Sequence, residues 1–316
     1  MRDPAKGESE LIEAVGLSRR FGAIMAVEDL SLSIPEGEVF GFLGPNGAGK
    51  TTTIRMLCGL ISCTSGQASI AGHDVGTREG RIKALEIIGL LPEAPGLYES
   101  LSAEANLDFF GKLHSMPAQR RAERIEELLR RLDIWERRTE AVSGFSKGMK
   151  QKIAIARALI HDPSYLFLDE PTSGLDPAAA HTVRAYLMEL KTEGRTIFIN
   201  THNLDDAERL CDRIGIMRTR LLAVGAPQQL MRSYFGEATS FEGSGLETAL
   251  PLVRAIPGVL DARMEGGSLL VVSAEPININ PEVTQVLVSA GARVAYAHEV
   301  KRNLEDLYMK VIGGKA

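Results

Sequence analysis

From residue 10 to about 232 the apolar positions fall into two alternating patterns, short unbroken runs and stripes of helical period. "AVEDLSLSI" alternates as a half-buried strand does, and "GEVFGFLG" is a brief apolar run closed by glycine. "TTTIRMLCGL" follows with helical spacing. "SYLFLDEP" and "RTIFINTH" are again unbroken apolar runs, and each ends in carboxylate, hydroxyl or imidazole groups. Such runs predict parallel strands buried on both faces, with chemistry gathered at their carboxyl edge. Between them, from Glu99 to His161, the pattern is helical: "AEANLDFFGKLH", "RRAERIEELLRRLDIW" and "KGMKQKIAIARALI". This predicts a helical insertion in an α/β domain, with Trp135 and Phe109 packed in its core.

After "AVGAPQQLMRSYFG" the units shorten. From Gly236 onward the order predicts strand, helix, hairpin, helix, strand, helix. The hairpin is "VLDARMEGGSLLVVS", in which Gly266-Gly267 can supply the positive φ angles of a tight turn. The helices are "LETALPLVRAI", "PEVTQVLVSAG" and "NLEDLYMKVIG". This order resembles a small ferredoxin-like split βαβ domain. A chain of 316 residues suits two domains, here 10–232 with a helical subdomain over about 97–162, and 236–316.

Composition narrows the function more than the fold. An apolar share of 44% with 24% charged residues is that of a globular protein with a core. The net charge of -5 argues against a global electrostatic footprint for nucleic acid, and no nucleic-acid partner is expected. The basic residues of "RRAERIEELLRRLD" alternate with acidic ones, as on a solvated helix face. Cys58, Cys63 and Cys211 form no CxxC pair, which is cytosolic usage. No secretory h-region opens the chain, and no apolar run approaches the roughly 18 residues of a membrane span. The expected location is cytoplasmic.

"GPNGAGKT", Gly44 to Thr51, fits the phosphate-loop pattern G-x-x-x-x-G-K-[ST] between a predicted strand and a predicted helix. Gly44, Pro45, Asn46, Gly47, Ala48 and Gly49 would turn backbone N–H groups onto phosphate oxygens, and the helix N-terminus adds a favourable field. Lys50 would neutralise the β- and γ-phosphates, and Thr51 would offer its hydroxyl to Mg²⁺. Asp169 ends the run "LFLDEP" and could hold that metal, with Glu170 beside it to polarise a water. His202 ends "NTH" within reach of a γ-phosphate, although a strand-end histidine is also a common structural residue. "FSKGMKQK" carries three lysines, which suit either a phosphate site or an acidic rim.

The stretches "GPNGAGKTT", "LLPE", "FSKGMKQK", "LFLDEP", "TSGLD" and "NTH", in this order, resemble the nucleotide-binding subunits of ATP-binding cassette (ABC) transporters over residues 10–230. The resemblance implies a P-loop NTPase fold with a RecA-like core, an antiparallel β subdomain and a helical insertion. It implies ATP and Mg²⁺ as ligands, with Thr52 completing the phosphate loop and Glu170, His202 and Lys50 as the catalytic set. By similarity Phe21 stacks on adenine and Ala26 lies near the ribose, while a plain core aromatic remains the other reading of Phe21. Glu93 stands where most of the family has glutamine, joining Thr51 and Asp169 as a metal ligand, as often in the branch serving ABC-2-type exporters.

In the same family Ser146, Lys147 and Gly148 present a helix N-terminus to a nucleotide held by a second subunit. The usual Leu-Ser-Gly-Gly-Gln reads Phe145-Ser146-Lys147-Gly148-Met149 here. Asp176 in "TSGLD" would sit at the dimer seam; on local grounds it is equally an Asp-Pro turn before a helix. "GLYESLSAEANL" lies where the family receives a helix of the membrane subunit, and reads locally as a loop with a helix cap. "RNLEDLYMKVIGG" is similar to the C-terminal ending of ABC-2-type exporter ATPases. The implied protein is an export ATPase, peripheral at the cytoplasmic face through an ABC-2-type permease. It would be paired with a second copy or a paralogous ATPase subunit. The alternative is a soluble cassette ATPase working on a non-transport partner; the paired cassettes and long coiled coils typical of those relatives are absent from the sequence.

Overall fold

The computed structural model describes residues 11–273, 275–300 and 302–314. The chain divides into two compact units, one running to Ala226 and one beginning at Pro227. In the first, β1 (Leu11–Phe21) and β2 (Ile24–Pro35) form a hairpin, and β3 (Val39–Leu43) leads through the glycine-rich loop into α1 (Lys50–Leu57). Next come β4 (Ser65–Ile70), β5 (His73–Asp74), α2 (Arg78–Ile87) and β6 (Ile88–Leu91). The helices α3 (Ala103–Leu113), α4 (Ala118–Arg131) and α5 (Lys147–Leu159) form the insertion. The chain returns through β7 (Tyr165–Asp169), α6 (Pro177–Thr192), β8 (Thr196–Asn200), α7 (Leu204–Leu210), β9 (Arg213–Arg218) and β10 (Arg220–Gly225).

These strands make an antiparallel sheet, β2-β1-β4-β5, and a six-stranded sheet, β10-β9-β3-β8-β7-β6. The second is parallel from β9 to β6, with β10 antiparallel at its edge. Every residue of β3, β7 and β8 is buried, which is why these strands read as unbroken apolar runs. Phe198 on β8 lies opposite Phe40 on β3 and Phe167 on β7. Its ring centroid is 5.6 Å from each of theirs and 5.4 Å from that of Phe42. This aromatic row fixes how the three strands align.

The helical insertion packs on aliphatic side chains: Leu107, Ile125, Leu128, Leu129, Leu132 and Ile153 are all buried. The expectation for Phe109 and Trp135 fails here. Phe109 lies two residues, about 200° of helix, from Leu107, so the face that buries one turns the other outward. It is 36% exposed and stacks edge-on with Tyr98 and Phe110 at 5.0 and 5.4 Å. Trp135 is half-buried between the guanidinium groups of Arg130 and Arg138, 4.7 and 4.2 Å from its ring. Both aromatics cover the rim, not the core.

The second unit runs α8 (Pro227–Phe235), β11 (Glu237–Ser244), α9 (Leu246–Arg254), β12 (Val259–Glu265), β13 (Ser268–Ser273), α10 (Pro276–Ser289), β14 (Arg293–Glu299) and α11 (Leu304–Gly313). Its antiparallel sheet has the order β12-β13-β11-β14, so the two βαβ halves interleave with β11 and β13 at the centre. That is the split βαβ arrangement. Phe241, Ala262, Leu269 and Val271 bury against Ala249 and Val253 of α9 and Val283 and Leu287 of α10. Gly266 and Gly267 turn the hairpin with φ of 60° and 90°. Helix α10 begins at Pro276, ahead of the Pro281 with which the apolar stripe opens, because proline is well tolerated at the first helical position. Helix α8 packs on α11, where the Lys310 ammonium lies 4.4 Å from the Phe235 ring. The division after Ala226 therefore precedes the 232–236 stretch where the sequence pattern changes.

Phe198→Ala removes the central ring of the aromatic row and leaves a cavity, a loss of about 3–5 kcal/mol. The chain has a single tryptophan, Trp135, and it lies in the first unit. Denaturant unfolding followed by its fluorescence should show the drop; a loss below about 1 kcal/mol would mean that the row does not organise the sheet.

Candidate functional site

The adjacent strands β3, β8 and β7 deliver their C-terminal ends to one edge of the sheet. After β3 the chain turns through Gly44–Gly49 into α1. Gly49 has φ of 100°, and a Cβ there would lie 2.2 Å from the Ala26 carbonyl oxygen, so the turn requires glycine. The buried Lys50 ammonium donates to the carbonyl oxygens of Gly44 and Pro45 at 2.7 and 3.1 Å. Burial draws its pKa down, against the pull of the Glu170 and Asp169 carboxylates.

Thr51 Oγ1 donates to Asp169 Oδ2 at 2.9 Å, and Asn200 Nδ2 donates to the other oxygen. Asp169 and Asn200 are register partners at the ends of β7 and β8. Burial raises the Asp169 pKa; the bonds from Thr51 and Asn200 oppose that, while the Glu93 carboxylate adds to it. The next residue, Glu170, has φ of 54°. This left-handed turn sends its carboxylate to the end of β8. There Oε1 accepts from the His202 backbone N–H at 3.1 Å and lies 2.7 Å from His202 Nδ1, and Oε2 accepts a long bond of 3.5 Å from Thr201. Gln151 on α5 donates to the carbonyl oxygen of Pro171 at 3.1 Å and to that of Glu170 at 3.4 Å.

The structure thus brings Ala26, Asn46 to Thr52, Glu93, Asp169 and Glu170 onto one cleft of about 300 Å³. A neighbouring cleft of about 690 Å³ shares Asn46, Glu93 and Glu170 and adds Phe145, Lys147, Gln151 and His202. Thr51, Asp169 and Glu93 offer only oxygen donors, which suits a hard divalent cation. Among the described residues no group of three or more His, Cys, Asp or Glu is placed to hold a metal. A cation here would complete its shell with phosphate and water, the usual manner of Mg²⁺. The assembly can seat a polyphosphate on the loop and set a carboxylate-polarised water against it.

Other expected residues lie apart. Phe21, at the end of β1, is 45% exposed with the Arg19 guanidinium 4.5 Å from its ring, and lines neither cleft. Ser146 is exposed and caps α5 through Met149 N–H at 3.2 Å. Asp176 caps α6 through Ala179 N–H at 2.9 Å. Gly148, buried in the first turn of α5, packs against the start of α6. A Cβ there would lie 3.0 Å from Ala179 Cβ and 3.6 Å from Asp176 Oδ2. The three lysines of "FSKGMKQK" diverge. Lys147 lies over Gly174, Lys150 pairs with Glu99 at 2.7 Å, and the buried Lys152 approaches Asp133 at 3.9 Å. Sequence reasoning passed over Gln151, Asn200 and Thr201, although the first lies in "FSKGMKQK" and the others in "NTH".

A family model described as "ABC transporter" matches residues 27–173. The Nod factor export ATP-binding protein I of Rhizobium sp. (strain N33) is 35% identical over 304 residues, 96% of this chain and 97% of that protein. The linearmycin resistance ATP-binding protein LnrL of Bacillus subtilis (strain 168) is 32% identical over 314 residues, 96% of this chain and 98% of its own. A solved ATP-binding subunit of an ABC transporter superimposes with a TM-score of 0.65 at 34% identity, covering 71% of this chain and 93% of the other.

Because a Cβ at Gly148 would press on Ala179 of α6, the overpacking cost of about 1–3 kcal/mol should exceed the gain of about 1 kcal/mol in helix propensity, so Gly148→Ala should destabilise the isolated, nucleotide-free protein by up to about 2 kcal/mol. Thermal melting of dilute protein reads this directly. An unchanged melting temperature would free Gly148 from its packing role.

Proposed function

The chain belongs to the family of ATP-binding subunits of ABC transporters, and on that premise we propose that it binds Mg-ATP in a head-to-tail dimer and hydrolyses it to drive export. The observation that carries hydrolysis is the contact of Glu170 with His202 beside the Lys50 and Asp169 cleft. Lys50 exchanges its carbonyl partners for β- and γ-phosphate oxygens, and the loop N–H groups with the α1 N-terminus take the rest of the phosphate charge. Thr51, Asp169 and Glu93 would hold Mg²⁺, whose charge would offset that of the phosphates. Glu170 accepts a proton from the attacking water, and His202 orients that carboxylate and faces the γ-phosphate. The exposed Phe21 ring offers adenine a stacking face, with Ala26 near the ribose.

Ser146, Lys147, Gly148 and Asp176 act on the nucleotide of the partner, a second copy or a paralogous ATPase subunit. The exposure of Ser146, which lines neither cleft, supports that division of labour. The motor acts at the cytoplasmic face through a separate ABC-2-type permease; no described helix is long and apolar enough to cross a membrane. The exposed rings of Tyr98 and Phe109, backed by the half-buried Phe110, form the surface we assign to that permease. The buried Asn106 holds the loop beneath it, accepting from Tyr98 N–H at 2.8 Å and donating to Ser102 O at 2.9 Å. The names of the relatives, one for Nod factor export and one for linearmycin resistance, support outward transport. Co-purification with a polytopic partner tests the reading; isolation with ribosomes or DNA instead would favour a non-transport ATPase.

Glu170→Gln should lower turnover by about 10²–10⁴-fold while leaving ATP binding intact and trapping the ATP-bound dimer. Steady-state hydrolysis and sizing with ATP measure both; near-normal turnover would remove Glu170 from the base role.

The residues that line the two clefts all belong to the first unit, so a fragment ending at Ala226 should fold and bind Mg-ATP with affinity within about threefold of the whole chain. Its loss should instead weaken nucleotide-free association or transport coupling. Calorimetry on a fragment shown to be folded by circular dichroism is the check. Failure of the folded fragment to bind would show that the second unit completes the site.

A further inference from the structure

Thr172 and Asp206 have no part in the chemistry assigned above, yet they are among the most buried polar side chains, 6% and 2% exposed. Thr172 lies in the turn after Glu170, and Asp206 in the first turn of α7. The Thr172 hydroxyl donates to Asp206 Oδ2, and Arg184 of α6 donates to Oδ1 at 2.8 Å. A buried carboxylate needs such partners, so each of the three holds the others in place.

The contacts continue around a closed path. The Asp206 backbone N–H donates to Asn203 Oδ1 at 3.2 Å, and the Asn203 N–H donates to Thr201 Oγ1 at 3.0 Å. Thr201 and His202 both engage the Glu170 carboxylate. From Glu170 the chain itself returns to Thr172 in two residues. Inside this ring Glu170 holds a left-handed backbone, a conformation unfavourable for an L side chain that persists only where its surroundings enforce it. Gln151 fixes the carbonyl oxygens on the other side of the turn.

We infer that Thr172, Asp206 and Arg184 form a clamp that keeps Glu170 in its left-handed turn with its carboxylate on His202, making them positioning residues for hydrolysis. The inference rests on the reading of Glu170 as the base. Arg184 also belongs to the helix that Asp176 caps, so the clamp ties the hydrolytic carboxylate to the residue proposed for the dimer seam. Without the Thr172 hydroxyl, the segment after Glu170 loses its anchor on α7. The carboxylate then samples positions away from the water, while the phosphate loop is untouched.

The test compares full-length Thr172→Val, which deletes the donor at nearly equal volume, with Thr172→Ser, which keeps it. In the Val variant kcat for ATP should fall roughly 10–100-fold with KM within about twofold of the parent, and Ser should restore kcat to within about threefold. Hydrogen exchange of the nucleotide-free Val variant should quicken at amides 170–176 and 201–206. Equal turnover in the Val and Ser variants overturns the clamp. So does a Val variant that loses melting temperature and ATP affinity together with kcat, since that is a purely structural role. If Thr172→Val does not fold, Arg184→Lys decides: reduced kcat at constant KM supports the clamp, and unchanged kcat overturns it. A parent chain with no ATP turnover would remove the hydrolysis reading itself and the clamp with it. A hydrolysing parent matched by Thr172→Val removes the clamp alone.

Discussion

The register between β3, β8 and β7 is the constraint on which the site depends. Side chains alternate between faces along a strand, so a slip of one residue would carry Asn200 away from Asp169 and Phe198 out of the aromatic row. The Phe40–Phe198–Phe167 row at the strand centres and the Asp169–Asn200 pair at their ends express the same alignment. Because all three strands are buried, the penalty for misalignment is large. Hydrophobic packing thus sets the position of groups that perform no packing themselves.

On that edge the chain accepts several unfavourable local arrangements. Lys50 and Asp169 are buried charges whose pKa values burial drives toward neutrality, the lysine down and the aspartate up. Glu170 keeps a backbone conformation that its side chain disfavours. Each is offset by fixed partners: loop carbonyls for Lys50, Thr51 and Asn200 for Asp169, and His202 with Thr201 for Glu170. A site arranged this way has its dipoles aligned before substrate arrives, which is the condition for electrostatic stabilisation without reorganisation.

The helix caps at Ser146 and Asp176 answer a local demand of the chain. Ser146 and Asp176 satisfy the free N–H groups at the starts of α5 and α6, a local need of any helix. Gly148 brings these two helix starts together, since any side chain there would press on Ala179. The start of α5 around Ser146 and the start of α6 around Asp176 are therefore one packed unit within a single subunit.

The residue pattern alone was enough for the glycine-rich turn between β3 and α1, for Asp169, Glu170 and His202 at or just beyond the ends of β7 and β8, and for the βαββαβ order of the second unit. These features rest on spacing and residue type within a short window: glycine where φ must be positive, unbroken apolar runs where both faces are covered, turn glycines at 266 and 267. Which distant groups meet was settled by packing of the folded chain. It turned Phe109 outward and placed Trp135 between arginines, because helix phase against neighbouring helices selects the buried face. It gave Gly148 a partner in α6, sent the three lysines of one helix to three different neighbours, and assigned α8 to the second unit. Asn200 and Thr201 stood in the same short motif as His202, but their roles depend on strand and helix ends that converge only on folding. Spacing along a chain fixes local geometry, whereas contact across the sheet depends on how every layer packs.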